Sequence, residues 1–338
     1  MIYKENTAPL AVRNDLSVMS VSSAGITELF PSFRPLTLET KSVYDRYIEP
    51  LPEALPSTLF FQGLYAWNLT SINVYRIVGR HLCIIANDTW TGEFLALPPL
   101  GVPGDASFIG AVDEVYASFR RVGLPCVFSD VPAFLLPFFF MLEHYDIDVS
   151  YNADDSDYIF TRQDFVEGTT KRSCREAISH LQRRERPVVR PLSAEDSDAV
   201  IDVTKQFFCV EHDCRDCCFG CEVTVVSRLM RAFRELELTG IVVEGQDGPI
   251  AFGILCGQKD TLFFLSKKVR RSTRGLNELL NAAFPDCCGA GYSLINYSED
   301  MGLEGLRLYK SRLGKHTQRH RYRVTLSAAN FYEKKGAL

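Results

Sequence analysis

Hydrophobic and polar positions along this chain fall into two rhythms that follow each other in the same order twice. Segments with apolar residues at every second position read as strands; longer ones with apolar residues three and four apart read as helices. In the second half the pattern predicts helices over 194–209 and 222–237, then strands over 240–244, 250–256 and 261–267. Gly245-Gln246-Asp247-Gly248 is the hairpin turn between the first two strands. A helix over 274–284, a strand over 292–296, a helix over 302–312 and a strand over 319–326 complete the set. The first half predicts helices over 41–48 and 60–67, then strands over 72–78, 81–86 and 93–97. A helix over 111–122, a strand over 125–129, a helix over 133–144 and a strand over 157–161 follow.

The two series open alike. Arg34-Pro35-Leu36-Thr37 precedes Glu39, and Arg190-Pro191-Leu192-Ser193 precedes Glu195. Each is a short extended segment ending at a hydroxyl residue suited to cap a helix, with a proline that fits a strand end or sheet edge. One order of elements repeated at a spacing of about 156 residues is a tandem duplication. The expected fold class is α/β (α+β), with mixed sheets flanked by helices. The expected division is an N-terminal extension lying on the body over 1–32, a first domain over 33–161 and a second over 162–330 that carries the site.

Composition narrows the class. The chain has 338 residues, 46% hydrophobic and 23% charged, which excludes disorder and collagen-like structure. The longest apolar run, residues 131–142 (VPAFLLPFFFML), is shorter than the ~18 residues of a spanning helix and is broken by Pro137. It reads as a buried helix. There are 11 cysteines and no export-type leader, so reduced thiols and a cytoplasmic location are expected. The net charge of −5 is unevenly spread, −10 over residues 1–160 and +5 over 161–338. Either the second half meets an anionic ligand or the halves attract each other.

Residues 295–314, INYSEDMGLEGLRLYKSRLG, resemble the Asn-x-x-Glu-Asp-x-Gly-x-x-Gly-Leu-Arg-x-x-Lys segment of a bacterial family of unknown function related to the phosphatidylglycerol lysyltransferase C-terminal domain. ALPPLG at 96–101, Trp67, IAFG at 250–253, Gly275, Asn281 and Phe284 support the likeness, which runs over about 33–324. The resemblance implies tandem GNAT-like acyltransferase domains and transfer of an acyl or aminoacyl group. There are departures. Arg175 fits a basic stretch that in the family ends in Arg-Asn-His, but Glu176 and Ala177 follow it here. Lys267-Lys268 stands where a Glu-Lys pair is typical.

Candidate chemistry clusters in the second half. A transferase needs a base for its acceptor and donors for the oxyanion of the acyl intermediate. Glu299, Asp300, Arg307 and Lys310 supply both kinds of residue and are the catalytic candidates; helix capping with a solvated basic face is the alternative. The segment 267–275, KKVRRSTRG, occupies the place where GNAT enzymes hold the pyrophosphate of acetyl-coenzyme A. Arg274 replaces the first glycine of that loop and hinders close backbone approach, so acetyl-coenzyme A is disfavoured. A larger anionic donor such as aminoacyl-tRNA, which lysyltransferase relatives use, is favoured, with Arg175, Lys267, Lys268, Arg271, Arg274 and Gly275 lining its entrance.

Two further features are ambiguous. Arg319, Arg321 and Arg323 alternate, which on a strand projects them to one face, either toward phosphates or as the charged edge of a sheet. Cys214, Cys217, Cys218 and Cys221 have zinc-knuckle spacing, and three thiolates could grip an iron–sulfur cluster; buried small apolar cysteines are the other reading. DNA is not an expected partner, no transmembrane segment is present, and peripheral membrane contact stays open. Phosphate-loop, dinucleotide-fold, zinc-protease and esterase signatures are absent. The expected function is an acyl- or aminoacyltransferase acting on an amine or hydroxyl acceptor. The alternative is a catalytically silent binding protein for an anionic ligand, with the cysteine loop sensing metal or redox state.

Overall fold

A computed structural model describes residues 4–5, 23–68, 71–88, 91–104, 106–206, 221–270 and 273–329. The chain divides into two compact units, one made of Met1–Pro52, Asn68–Ser156 and His320–Leu338, the other of Glu53–Trp67 and Asp157–Arg319.

The first unit holds a sheet in the order Lys4–Glu5, Tyr145–Tyr151, Arg321–Ala328, Cys126–Pro132, Phe94–Ala96, His81–Asp88, Ser71–Val78, Arg34–Pro35. The Ala106–Arg121 helix lays Phe108, Val112, Val115 and Phe119 against Val74, Cys83, Ile85 and Phe128 of that sheet. The three-and-four spacing of these apolar residues makes the helix amphipathic. Each large side chain so buried contributes about 1.5–3 kcal/mol. Within the segment 1–32, expected as an extension lying on the body, the described residues Ile26 and Phe30 are buried in this core.

Two expectations for this unit change. The helix predicted over 133–144 is a 3-10 turn at Ala133–Leu135 and one helical turn at Leu136–Phe139, followed by the unpredicted strand Tyr145–Tyr151. Pro137 sits in the first turn, where its missing N–H costs nothing. The run packs by burying Leu135, Leu136, Phe139 and Leu142. Arg321–Ala328 is an inner strand between Tyr145–Tyr151 and Cys126–Pro132, so it is not a solvated edge, and Arg319 lies on a separate strand. Arg321 is buried on the Asp155 carbonyl and Asp130, and Arg323 pairs with Glu93.

The second unit's sheet runs Val188–Pro191, Thr239–Gly245, Gly248–Gln258, Thr261–Val269, Leu294–Asn296, Asp157–Thr161, Thr317–Arg319. The expected boundary at 161/162 differs from this arrangement, because Asp157–Thr161 is an inner strand of this sheet. A short buried run marks a strand without saying which sheet it joins. Arg319 belongs here too, paired with Glu53 and the Ala54 carbonyl. Helices Arg162–Thr169 and Arg172–Glu185, absent from the predicted series, precede the Val188–Pro191 strand. The repeated openings behave as read. Thr37 and Ser193 each form a reciprocal capping box, with Thr40 and Asp196 respectively.

The feature that makes room for a site is a parting of strands. Thr261–Val269 pairs with Gly248–Gln258 along its whole length, with a bulge between Ile254 and Leu255. Its parallel pairing with Leu294–Asn296 covers only Thr261, Leu262 and Phe263. Beyond Phe263 and Asn296 the two strands separate, as β-ladders do where one chain turns away.

Candidate functional site

Past the parting, the strand Thr261–Val269 aims successive side chains to opposite faces. Lys267 points toward the helices Leu276–Cys287 and Glu304–Arg312, where its Nζ donates to Tyr297 Oη (2.6 Å), Tyr309 Oη (2.5 Å) and Asn281 Oδ1 (3.3 Å). Lys268 points the other way and pairs with Glu222 at 2.5 Å. Asn281 ties the phenols together, donating to Tyr309 Oη at 2.7 Å and accepting from Tyr297 Oη at 2.8 Å. The Tyr297 ring has Lys267 Nζ 5.2 Å and Lys310 Nζ 5.8 Å from its centroid. Burial and the neighbouring Tyr309 oxygen push the Tyr297 phenol well up.

This cluster borders a cavity of about 700 Å³ whose lining includes Asn281, Tyr309, Leu308, Lys171, Glu278 and Arg312. A smaller cavity of about 380 Å³ is lined by His180, Arg184, Arg270, Thr273 and Arg274, beside the start of the Leu276–Cys287 helix. Gly275 caps that helix at φ +91°, and a Cβ there would come within 2.3 Å of the Ala177 carbonyl oxygen. Helix packing requires this glycine.

The turn after Asn296 is built by the acids and bases that the sequence singles out. Ser298 and Met301 both take left-handed φ, near 57° and 54°, a conformation costing about 1–2 kcal/mol for each such residue. Asn296 Oδ1 accepts from Ser298 N at 2.9 Å, and Asp300 Oδ1 from Gly302 N at 2.9 Å. Asp300, 1% exposed, also accepts from Tyr158 Oη (2.7 Å), Arg307 Nε (3.0 Å) and a second Arg307 nitrogen (3.2 Å). Burial works against its charge, yet Arg307, Tyr158 and the Gly302 N–H together hold the carboxyl below its ordinary value. Lys310 is buried and donates to the carbonyls of Tyr297 (2.7 Å) and Glu299. Burial lowers its ammonium to about 8, against the pull of Glu299, Asp157 and Asp300. Glu299 accepts from Ser57 Oγ at 3.3 Å, and Ser57 is anchored on the buried Asp157 at 2.6 Å.

The catalytic candidates Glu299, Asp300, Arg307 and Lys310 therefore lie together around one turn. The donor candidates are dispersed. Lys267 is at the cluster, Arg274 lines the smaller cavity and Gly275 caps the helix, whereas Lys268 is on the opposite strand face. Arg175 is at the surface on the Thr170 carbonyl. Arg271, Cys214, Cys217 and Cys218 lie outside the described residues; Cys221 is a buried free thiol. Among the described residues no group of three or more His, Cys, Asp or Glu is placed to hold a metal ion. Sequence reasoning did not assign Tyr297 or Tyr309, although both lie in the 295–314 segment; the nearest signal is that each adjoins a singled-out residue, Asn296 and Lys310.

The family model for the phosphatidylglycerol lysyltransferase C-terminal region matches residues 54–324. The chain belongs to this family. No curated protein matches it. Among solved structures, a conserved protein of unknown function from Bacteroides thetaiotaomicron is similar at 18% identity and TM-score 0.78, covering 87% of this chain and 99% of that one. L-PGS from Bacillus licheniformis is similar at 14% identity and TM-score 0.57, over 87% and 94% of the two chains. FemX is similar at 9% identity and TM-score 0.55, over 88% and 98%. These likenesses concern the fold alone, mixed sheets flanked by helices in two units. Among the described residues no helix is long and apolar enough to cross a membrane.

Proposed function

We propose that the protein transfers an acyl or aminoacyl group to an amine or hydroxyl acceptor, with the reaction centred on Lys267, Asn281 and Tyr309. The observation that carries this reading is the convergence of an ammonium, an amide and a phenol beside the larger cavity. The Lys267 ammonium and the Asn281 amide are donors of the kind that stabilise the negative oxygen formed when an acceptor attacks an acyl carbon, and the Tyr309 oxygen lies beside them. Asp300, Arg307 and Lys310 act in this reading as positioning residues that hold the 297–302 turn, and Tyr297 with it, in place. Glu299 fixes that turn against Ser57.

The donor we propose is a large anionic acyl carrier such as aminoacyl-tRNA, and acetyl-coenzyme A remains disfavoured. Arg184, Arg270 and Arg274 support an anionic carrier, because they leave a net positive charge at the smaller cavity beside a helix N-terminus even after Glu185, which also lines it, pairs with Arg270. Membership in a lysyltransferase family supports aminoacyl transfer.

The test uses the full chain, tRNA charged with labelled lysine, and phosphatidylglycerol vesicles or free amines as acceptors. The expected result is labelled product, reduced at least ~100-fold in Lys267→Met. No transfer to either acceptor and no binding of charged tRNA to the folded protein would overturn the reading.

A further inference from the structure

The bonding of the Lys267 cluster leaves one charge unanswered. Among the described residues no carboxylate lies within ion-pair distance of the Lys267 ammonium; its partners are Tyr297 Oη, Tyr309 Oη and Asn281 Oδ1. A half-buried cation normally gains a counter-charge, because an unpaired one is costly away from water.

The protons can be counted. Tyr297 Oη accepts from Lys267 and gives its own proton to Asn281 Oδ1. The Asn281 amide nitrogen donates to Tyr309 Oη. Tyr309 Oη thus receives two donors, from Lys267 and Asn281, and its own proton has one described acceptor, Tyr297 Oη at 3.2 Å. A phenolate at Tyr309 would supply the missing negative charge and accept from both donors aimed at it.

We propose that Tyr309 rests as a phenolate paired with Lys267 and is the proton acceptor of the site. The remaining charged groups around it agree. Lys310 follows on the same helix, and Lys171, Arg312 and one acid, Glu278, line the adjoining cavity. Burial pushes the Tyr309 phenol up, but the Lys267 charge together with the hydrogen bonds from Lys267, Tyr297 and Asn281 outweighs it and the net direction is down.

The catalytic part of this inference rests on the transferase reading above; the ionisation state does not. In the transfer step the acceptor's O–H or N–H gives its proton to Tyr309 Oη as the acceptor atom bonds to the acyl carbon. Collapse of the tetrahedral intermediate breaks the bond to the carrier, and Tyr309 returns the proton to the departing oxygen. The phenolate is regenerated, and no other reactant is needed.

The experiment is an ultraviolet difference spectrum of the full chain at neutral pH, wild type minus Tyr309→Phe. A single tyrosinate band from the 14 tyrosines is expected, and it is lost in Lys267→Met. A difference spectrum without tyrosinate absorption overturns the proposal. Should Tyr309→Phe fail to fold, carbon-13 NMR of ring-labelled tyrosines in the wild type replaces it. One ring carbon at the phenolate position is then expected at neutral pH, and none there overturns the proposal. Tyrosinate without transfer would sink the transferase reading and the proton-acceptor role with it, leaving the ionisation state standing; transfer without tyrosinate would sink this inference alone.

Discussion

Replacing Lys310 by Met removes a buried ammonium and tests two opposed energies. The ammonium donates to the Tyr297 and Glu299 carbonyls, and losing hydrogen bonds to a charged group costs about 1.5–3 kcal/mol each. Against this, a lysine lowered from 10.5 to about 8 by burial destabilises the folded chain by about 3 kcal/mol while it stays protonated. The two effects nearly cancel, so at neutral pH Lys310→Met is expected to change stability by no more than about 3 kcal/mol. The pH dependence separates them. Below about 8 both folded and unfolded chains hold the proton and the burial cost is present in full. Between about 8 and 10.5 the unfolded chain keeps a proton that the folded chain has released, so wild-type stability rises with pH. The neutral amine still has two N–H groups for the two carbonyls, so the turn persists. Urea unfolding of both proteins from pH 7 to ~10.5 should therefore show wild type gaining about 3 kcal/mol relative to Lys310→Met. Parallel pH profiles would refute the reasoning. So would unchanged hydrogen-exchange protection at Ser298 and Gly302 in the variant, since these amides depend on the turn that Lys310 holds.

Three shorter predictions follow from the same geometry. Asp300→Asn removes the negative charge facing Arg307 and one of the two oxygens that accept from Arg307, Tyr158 and the Gly302 N–H, and should destabilise the chain by about 1–3 kcal/mol in urea unfolding; a loss below about 0.5 kcal/mol would contradict the burial argument. Gly275→Ala should lose more than about 1 kcal/mol, because φ is +91° and the Ala177 carbonyl oxygen blocks the new methyl. An unchanged melting temperature would count against it. Asp196 is held at about 2, chiefly by its hydrogen bonds from Arg190. Its carboxylate therefore contributes stability present above about pH 4 and lost as pH falls through about 2. The stability gap between wild type and Asp196→Asn should close over that range, and a constant gap in acid titration would remove the effect.

The duplicated order of elements was legible because apolar spacing and helix caps are local: Thr37 and Ser193 form their boxes from neighbours three residues away. Strand membership was not, since the apolar run within Asp157–Thr161 suits an inner strand of either sheet equally. The apolar run at 131–142 showed burial but not shape, having no polar face from which to read a period. At the site, the 295–314 segment announced itself through its charged residues. In the folded chain Asp300, Arg307 and Lys310 support a turn, while the unassigned Tyr297 and Tyr309 meet Lys267. A tyrosine beside a motif is indistinguishable from a packing residue until a distant side chain is shown to reach it. Lys267 and Lys268 were one basic pair in the sequence; the pleat sends them to different surroundings.

Gly275 stands in a loop whose glycines are commonly taken as the mark of a nucleotide-carrying donor, yet its neighbour is the backbone of another helix. A descendant that abandoned the reaction altogether would still be held to glycine at this position by the tightness of that crossing. Survival of the residue through divergence thus records an architectural constraint and should not be counted as a sign of retained chemistry.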